Sequence, residues 1–218
     1  MDRSKEPGEH KEPGEHTAIR RMPSQRRSRE RVERMLAAAV TLIERDGSDA
    51  MRMSDVAETA GVSIGSLYQY FPDKMAIVRS LAERCMIEGR TCVENELAKV
   101  QTCAELLQCW SNLVNSYYDM FLTRPAMRDI WCATQSDCRL RELELEDSRI
   151  NARVLADVMA RLRPGPRRPE LETTAFLIMQ LCEATMRLAV SVGAAEGARL
   201  VETYKRMSMN ALHAEIAV

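Results

Sequence analysis

Between Ser63 and Lys74 the chain reads SIGSLYQYFPDK, and its polar side chains are of kinds that bind rather than react. Tyr68 and Tyr70 carry phenol hydroxyls and Lys74 an ammonium at a helix start, all good donors to phosphate that convey little sequence information. Ser63, Ile64, Ser66 and Gln69 suit base edges instead. A Gln amide can pair with adenine through two hydrogen bonds, and an Ile side chain can pack on a thymine methyl. Gly65 strips bulk from the first turn, so that the helix tip can enter a groove. Catalytic chemistry has no comparable support. The three histidines, His10, His16 and His213, lie near the termini, and no nucleophile elbow, phosphate-binding loop, HExxH or dinucleotide fingerprint occurs. The chain is not expected to be an enzyme or to need a cofactor or metal; His10 and His16, without Cys partners, are poor ligands.

Groove-binding side chains need elements to present them, and the stretch MSDVAETAGVSIGSLYQYFPDK from Met53 to Lys74 supplies those elements. It reads as two short helices joined by a tight turn, with a third helix starting at its end. Ala57 lets a crossing helix approach, and Gly61 four residues on is free to take positive φ at the turn. Val56, Val62 and Leu67 are the apolar anchors of a helix-turn-helix. Ser63 is placed to cap the second helix, Pro72 stops it near Tyr70, and Asp73 is placed to cap the next.

With AGV just before it, SIGSLYQYFPDK resembles the signature of the TetR/AcrR family of transcriptional regulators, densely from Arg29 to about Leu81 and only in helical layout beyond. The resemblance implies an all-α homodimer: an N-terminal three-helix head that reads double-stranded DNA, and a C-terminal helical bundle that dimerises and holds a small-molecule effector. Such a protein represses from a palindromic operator and is released by its effector. The resemblance also implies that positions 63 to 66 touch bases or backbone, that Tyr68 and Tyr70 reach phosphates, and that Lys74 grips another. Family members usually place a Thr or Ser cap where this chain has Arg52, so Ser54 is expected to substitute at that helix start and to lie near the DNA.

The 218 residues, 45% hydrophobic and 29% charged, fit an ordinary globular protein, and three Phe and nine Gly argue against a sheet-rich fold. No apolar run approaches the ~20 residues of a membrane span and the N-terminus lacks a secretory core, so no membrane partner and a cytoplasmic location are expected. The formal net charge of −1 conceals an asymmetry: residues 20–74 hold ten basic residues against eight acidic, whereas residues 1–19 hold three against five. The surplus sits next to the helix-turn-helix, in Arg20, Arg21, Arg26, Arg27, Arg29, Arg31 and Arg34, and reads as an arm along phosphates or in the minor groove. Residues 1–19, where EPGEH occurs twice, have little to bury and are expected to form a disordered tail. The expected division is therefore 1–19 tail, 20–74 DNA-binding head, and 75–218 ligand-binding and dimerisation domain.

Beyond Lys74 the pattern is one of long helices. Ile77, Val78, Leu81, Cys85, Met86, Val93 and Leu97 make a link helix leaving the head, and PGPRRP at 164–169 is the clearest break between helices. Residues 173–182, TTAFLIMQLC, are apolar nearly all round. Such a helix must be covered on every side, which points to a second subunit lying over Leu177, Leu181 and Leu188, with Tyr204 and Met207 of the last helix. Candidate effector contacts are the large or adaptable side chains Trp110, Tyr117, Trp131 and Met179 and the polar Gln135 and Glu183, the last suiting a cationic ligand if buried. Glu142, Glu144, Glu146 and Asp147 read as a solvated helix face. Seven irregularly spaced cysteines form no disulfide framework. They leave open a thiol-based sensor as an alternative, beside a DNA-independent helical scaffold.

Overall fold

A computed structural model describes residues 21–134, 137–165 and 167–216; the 1–19 tail with its repeat and histidines, Arg20 and Gln135 lie outside them. The described residues form nine helices and no strand: α1 Arg21–Asp46, α2 Met53–Ala60, α3 Ile64–Tyr70, α4 Lys74–Ala98, α5 Cys103–Thr123, α6 Pro125–Thr134, α7 Cys138–Leu162, α8 Arg168–Ser191 and α9 Ala194–Ile216.

At the N-terminal end, α1 lays Met35, Leu36, Ala39, Leu42 and Ile43 against Val56 and Ala57 of α2 and Leu67 of α3, all buried. Gly61 ends α2 at φ 64°, ψ 42°, and its own N–H and that of Val62 close back onto Glu58 and Ala57. A side chain at Gly61 would strain this left-handed turn. Ser63 Oγ accepts from the Ser66 N–H at 3.2 Å and caps α3. Phe71, extended ahead of Pro72, ends that helix, and Asp73 caps α4 by accepting from Ala76 N–H at 2.7 Å.

Two local expectations are corrected. The α2 helix begins at Met53 with Arg52 in the cap position and no side-chain cap, so Ser54 is already inside the helix, where its hydroxyl donates to Asp55 Oδ1 at 2.9 Å. The basic stretch from Arg21 onward is not an extended arm but the opening turns of α1. Pro23 is tolerated there because the first four N–H groups of a helix have no intrahelical acceptor.

The α4 helix leaves this group and packs on α7, which pairs with α8, and α8 pairs with α9 while α5 lies against α9. The α8–α9 crossing is close enough that a Cβ built on Gly197 would stand 2.3 Å from the Ala189 carbonyl oxygen. α8 buries Ala175, Ile178, Met179, Cys182 and Met186 and leaves Leu177, Leu181 and Leu188 on the opposite side, with Leu177 57% exposed and Met207 of α9 61%. Tyr204 does not join that exposed stripe. It is buried within the subunit and donates to the Ile178 carbonyl at 2.7 Å, tying α9 to α8, and is withdrawn as an interface residue.

Candidate functional site

Two regions carry chemistry. The first is the outer face of α3. Leu67 alone of its residues is fully buried, which fixes the helix rotation and turns Ser63, Ile64, Gly65, Tyr68 and Gln69 outward, with Ile64 44% and Tyr68 51% exposed. Nothing lies within 4 Å of a Cβ built on Gly65, so the tip is unobstructed. Ser66 is half-buried, and Arg31 Nη1 of α1 donates to its hydroxyl at 3.3 Å, which brings a guanidinium to the same face. Arg27 lies exposed on α1 one turn earlier.

Tyr70 and Lys74 are engaged differently. The Tyr70 and Ser28 hydroxyls meet at 3.0 Å, bracing α3 against α1. Lys74 Nζ donates to the Asp49 carbonyl at 2.8 Å and to that of Ser48 at 3.4 Å. Both side chains hold the head together in this structure. The same loop is gripped from the other side by Asp129 of α6, whose Oδ2 accepts from the Ser48 N–H at 2.6 Å beside Gly47 at φ 85°. Sequence patterning gave no sign of this tie, because its partners are 81 residues apart.

The second region is a cavity of about 550 Å³ lined by α4, α5, α6, α7 and α8. Trp110, Tyr117, Trp131, Met179 and Glu183 all line it, so five of the six side chains singled out for an effector meet around one space; the sixth, Gln135, is not described. Apolar walls come from Met86, Val93, Val114, Met120 and Met127, and Phe121 packs edge-on behind Tyr117 and Trp131 at centroid distances of 5.1 and 6.2 Å. Trp110 Nε1 donates to Ser208 Oγ at 2.8 Å, which fixes that indole.

One wall is polar, and it corrects a further expectation. The acidic run of α7 is not wholly solvated: Glu142 and Glu146 are exposed, but Glu144 and Asp147 are only 6% and 8% exposed. Residues 144, 147, 148 and 151 recur at three and four residues and so form one inward stripe, a spacing that was legible and was masked by the charge run around it. Arg90 of α4 donates through Nε to Asp147 Oδ1 at 3.0 Å, and Asn151 Nδ2 donates to Asp147 Oδ2 at 2.9 Å. Arg187 Nη1 donates to Glu144 Oε1 at 2.5 Å and approaches Glu183 Oε2 only to 3.8 Å. Ser148 Oγ donates to Glu183 Oε1 at 3.0 Å and receives Gln180 Nε2 at 2.7 Å. Glu183 Oε2 and Asn151 Oδ1 are buried with no hydrogen-bond donor from the protein.

Desolvation pushes the Glu183 carboxyl well above the ordinary carboxylate range, aided by the adjacent Glu144, against the pull of Ser148 and Arg187. Desolvation also raises Asp147, opposed by Arg90, and raises the Tyr117 phenol, with Glu183 adding to it. The thiols respond in the same way. Burial lifts Cys85 to about 11 and Cys182 to about 12, and it raises Cys109, so none of these three offers the ready thiolate of a redox sensor.

A helix-turn-helix with a bare recognition tip, joined by a long helix to an α-helical bundle around a ligand-sized cavity, defines a DNA-binding transcriptional regulator. The family model described as "Tetracyclin repressor-like, C-terminal domain" matches residues 104–216, and "Bacterial regulatory proteins, tetR family" matches residues 35–81. The chain belongs to the TetR family.

The transcriptional repressor KstR of Mycolicibacterium smegmatis is 41% identical over 56 residues, covering 26% of this chain and 28% of that protein. The chain thus matches only about a quarter of KstR's length. Among solved structures, a TetR-family regulator from Streptomyces coelicolor aligns with a TM-score of 0.67 at 21% identity, over 88% of this chain and 99% of the other. FadR from Bacillus subtilis, solved in complex with stearoyl-CoA, aligns with a TM-score of 0.56 at 18% identity, over 85% and 97%. These two likenesses concern the fold. Among the described residues, no helix is long and apolar enough to cross a membrane.

Proposed function

We propose that the protein is a cytoplasmic, ligand-responsive repressor that binds a palindromic operator as a homodimer and is released by a small organic effector. The observation that carries this is the outward tip of α3, bare at Gly65 and rotated by the buried Leu67. Ser63, Ile64, Gly65, Ser66 and Gln69 face the base edges, while Tyr68 and Arg27 hold phosphates, and Ser54 joins them once its hydroxyl leaves Asp55. Tyr70 and Lys74 position the head and lend a phosphate contact only if their present bonds to Ser28 and the 48–49 loop yield. The stripe of Leu177, Leu181 and Leu188 with Met207 supports a two-fold interface built from α8 and α9 of both subunits. Residues 20–74 act as the head and 75–218 as the effector and dimerisation part, with α4 crossing the boundary.

The cavity is the effector site of this reading, and α6 is the part that transmits its state. Met127 and Trp131 line the cavity while Asp129 on the same helix holds the Ser48 amide of the head. An effector that fits better with α6 or α4 displaced favours a dimer whose heads are wrongly spaced, and the operator must weaken effector binding by the same factor.

A mobility shift on DNA from the upstream region of its own gene tests the DNA-binding reading. Tyr68→Phe should weaken binding to operator and unrelated duplex alike, whereas Ser66→Ala should narrow the gap between them. Absence of any shift with the wild-type dimer rejects the proposal.

A further inference from the structure

We propose that the effector cavity takes a lipophilic amine, an ammonium head on an apolar body, with the head held at Glu183. The proposal rests on the effector-site reading above and specifies its ligand. The seam between α7 and α8 encloses three carboxyl groups, Glu144, Asp147 and Glu183, and among the described residues two guanidiniums, Arg90 and Arg187, reach them. Arg90 is committed to Asp147 and Arg187 to Glu144, and Glu183 Oε2 lies 3.8 Å from Arg187, beyond hydrogen-bond reach. The third carboxyl therefore has no cation hydrogen-bonded to it and shares Arg187 with Glu144 only at ion-pair range, while burial and the adjacent Glu144 disfavour its charged form. An ammonium would add a positive charge beside the two acids Glu144 and Glu183, which share Arg187, and bring N–H donors to a wall where Glu183 Oε2 and Asn151 Oδ1 have none.

The rest of the cavity favours the same class. Trp110, Tyr117 and Trp131 line it, and aromatic faces attract cations. Methionine side chains can adapt to an alkyl or aryl body of variable shape, and ~550 Å³ is within the range of drug-sized sites. A carboxylate ligand would instead face the surplus acid, and an alcohol would supply a donor but no charge.

Both tryptophans of the chain line the cavity, so intrinsic fluorescence reports its occupancy directly. The wild-type dimer is titrated with 4-phenylbutylamine, 4-phenylbutanol and 4-phenylbutyrate, which share a body and differ in the head. The amine should bind about tenfold more tightly than the alcohol, the difference between a charge-assisted and a neutral pairing, and the acid more weakly than either. Glu183→Gln should bring amine and alcohol within about threefold of each other, and Glu183→Asp should retain part of the preference. Alcohol or acid binding as tightly as the amine overturns the amine assignment while leaving the cavity a ligand site. No fluorescence response to any of the three also overturns it, and Met120→Trp, which fills the cavity, then decides the effector-site reading separately by whether responses to a broader ligand set disappear. The wild-type series stands as a test even if a Glu183 variant misfolds.

Discussion

The tie between α6 and the head can be cut at one atom. Asp129 Oδ2 accepts from the Ser48 N–H at 2.6 Å across 81 residues, and the bond is partly buried. A hydrogen bond to a charged acceptor contributes about 1.5–3 kcal/mol, and about 1.4 kcal/mol is a factor of ten in an equilibrium. Asp129→Ala should therefore raise the local opening of the loop after α1, and with it the exchange rate of the Ser48 amide, by roughly ten- to a hundredfold. Asp129→Asn keeps a neutral acceptor, worth about 0.5–1.5 kcal/mol, and should fall between. Lys74 still holds the Ser48 and Asp49 carbonyls in both variants, so the loop loosens without unfolding. Amide hydrogen exchange resolved at residues 47–52 reads the effect. Unchanged Ser48 protection in Asp129→Ala would refute the idea that α6 restrains the head, and with it the route by which the cavity acts on DNA.

Three further outcomes follow from the packing. Gly197→Ala should lower the melting temperature, because its Cβ would sit 2.3 Å from the Ala189 carbonyl oxygen; the clash, about 1–3 kcal/mol, exceeds the ~1 kcal/mol of helix propensity gained, so calorimetry showing a higher melting temperature contradicts the close crossing of α8 and α9. Leu181→Glu should convert the dimer to a monomer by light scattering, since it buries a charge in the proposed two-fold seam, and an unchanged mass removes α8 from the interface. Glu183 holds more protons folded than unfolded, so its contribution to stability is complete below the ordinary carboxylate range and is lost as pH rises through its elevated folded value. Desolvation sets most of this shift, Glu144 adds to it, and Ser148 and Arg187 oppose it. The wild-type melting temperature should accordingly decline with rising pH more steeply than that of Glu183→Gln, and parallel profiles would show that Glu183 is not the source.

How far the chain can be read without coordinates depends on the range of each interaction. The caps at Ser63 and Asp73, the turn at Gly61 and the stop before Pro72 are decided within four residues, and they are visible in the sequence. Arg52 and Ser54 misled because the family's cap chemistry was expected where α2 starts without any side-chain cap. The uncharged run 173–182 marked α8 as apolar nearly all round, and side-chain size, with polarity in the case of Glu183, selected five residues that prove to share the cavity. Periodicity could not say that Tyr204 turns inward to the Ile178 carbonyl, since both faces of α9 carry large side chains. Composition likewise hid the two buried acids of α7, because Glu144 and Asp147 differ from their exposed neighbours only in which way the helix turns and in having Arg187 and Arg90 opposite.

Selection of binding sites from random duplex DNA by the purified dimer tests most directly whether the tip of α3 reads DNA. The recovered sequences should converge on a palindrome whose half-site centres are about 34–36 Å apart or a multiple of it, and Ile64→Ala or Gln69→Ala should relax the consensus at defined positions within each half. Recovery of no consensus, or of one indifferent to Ile64, Ser66 and Gln69, would contradict it.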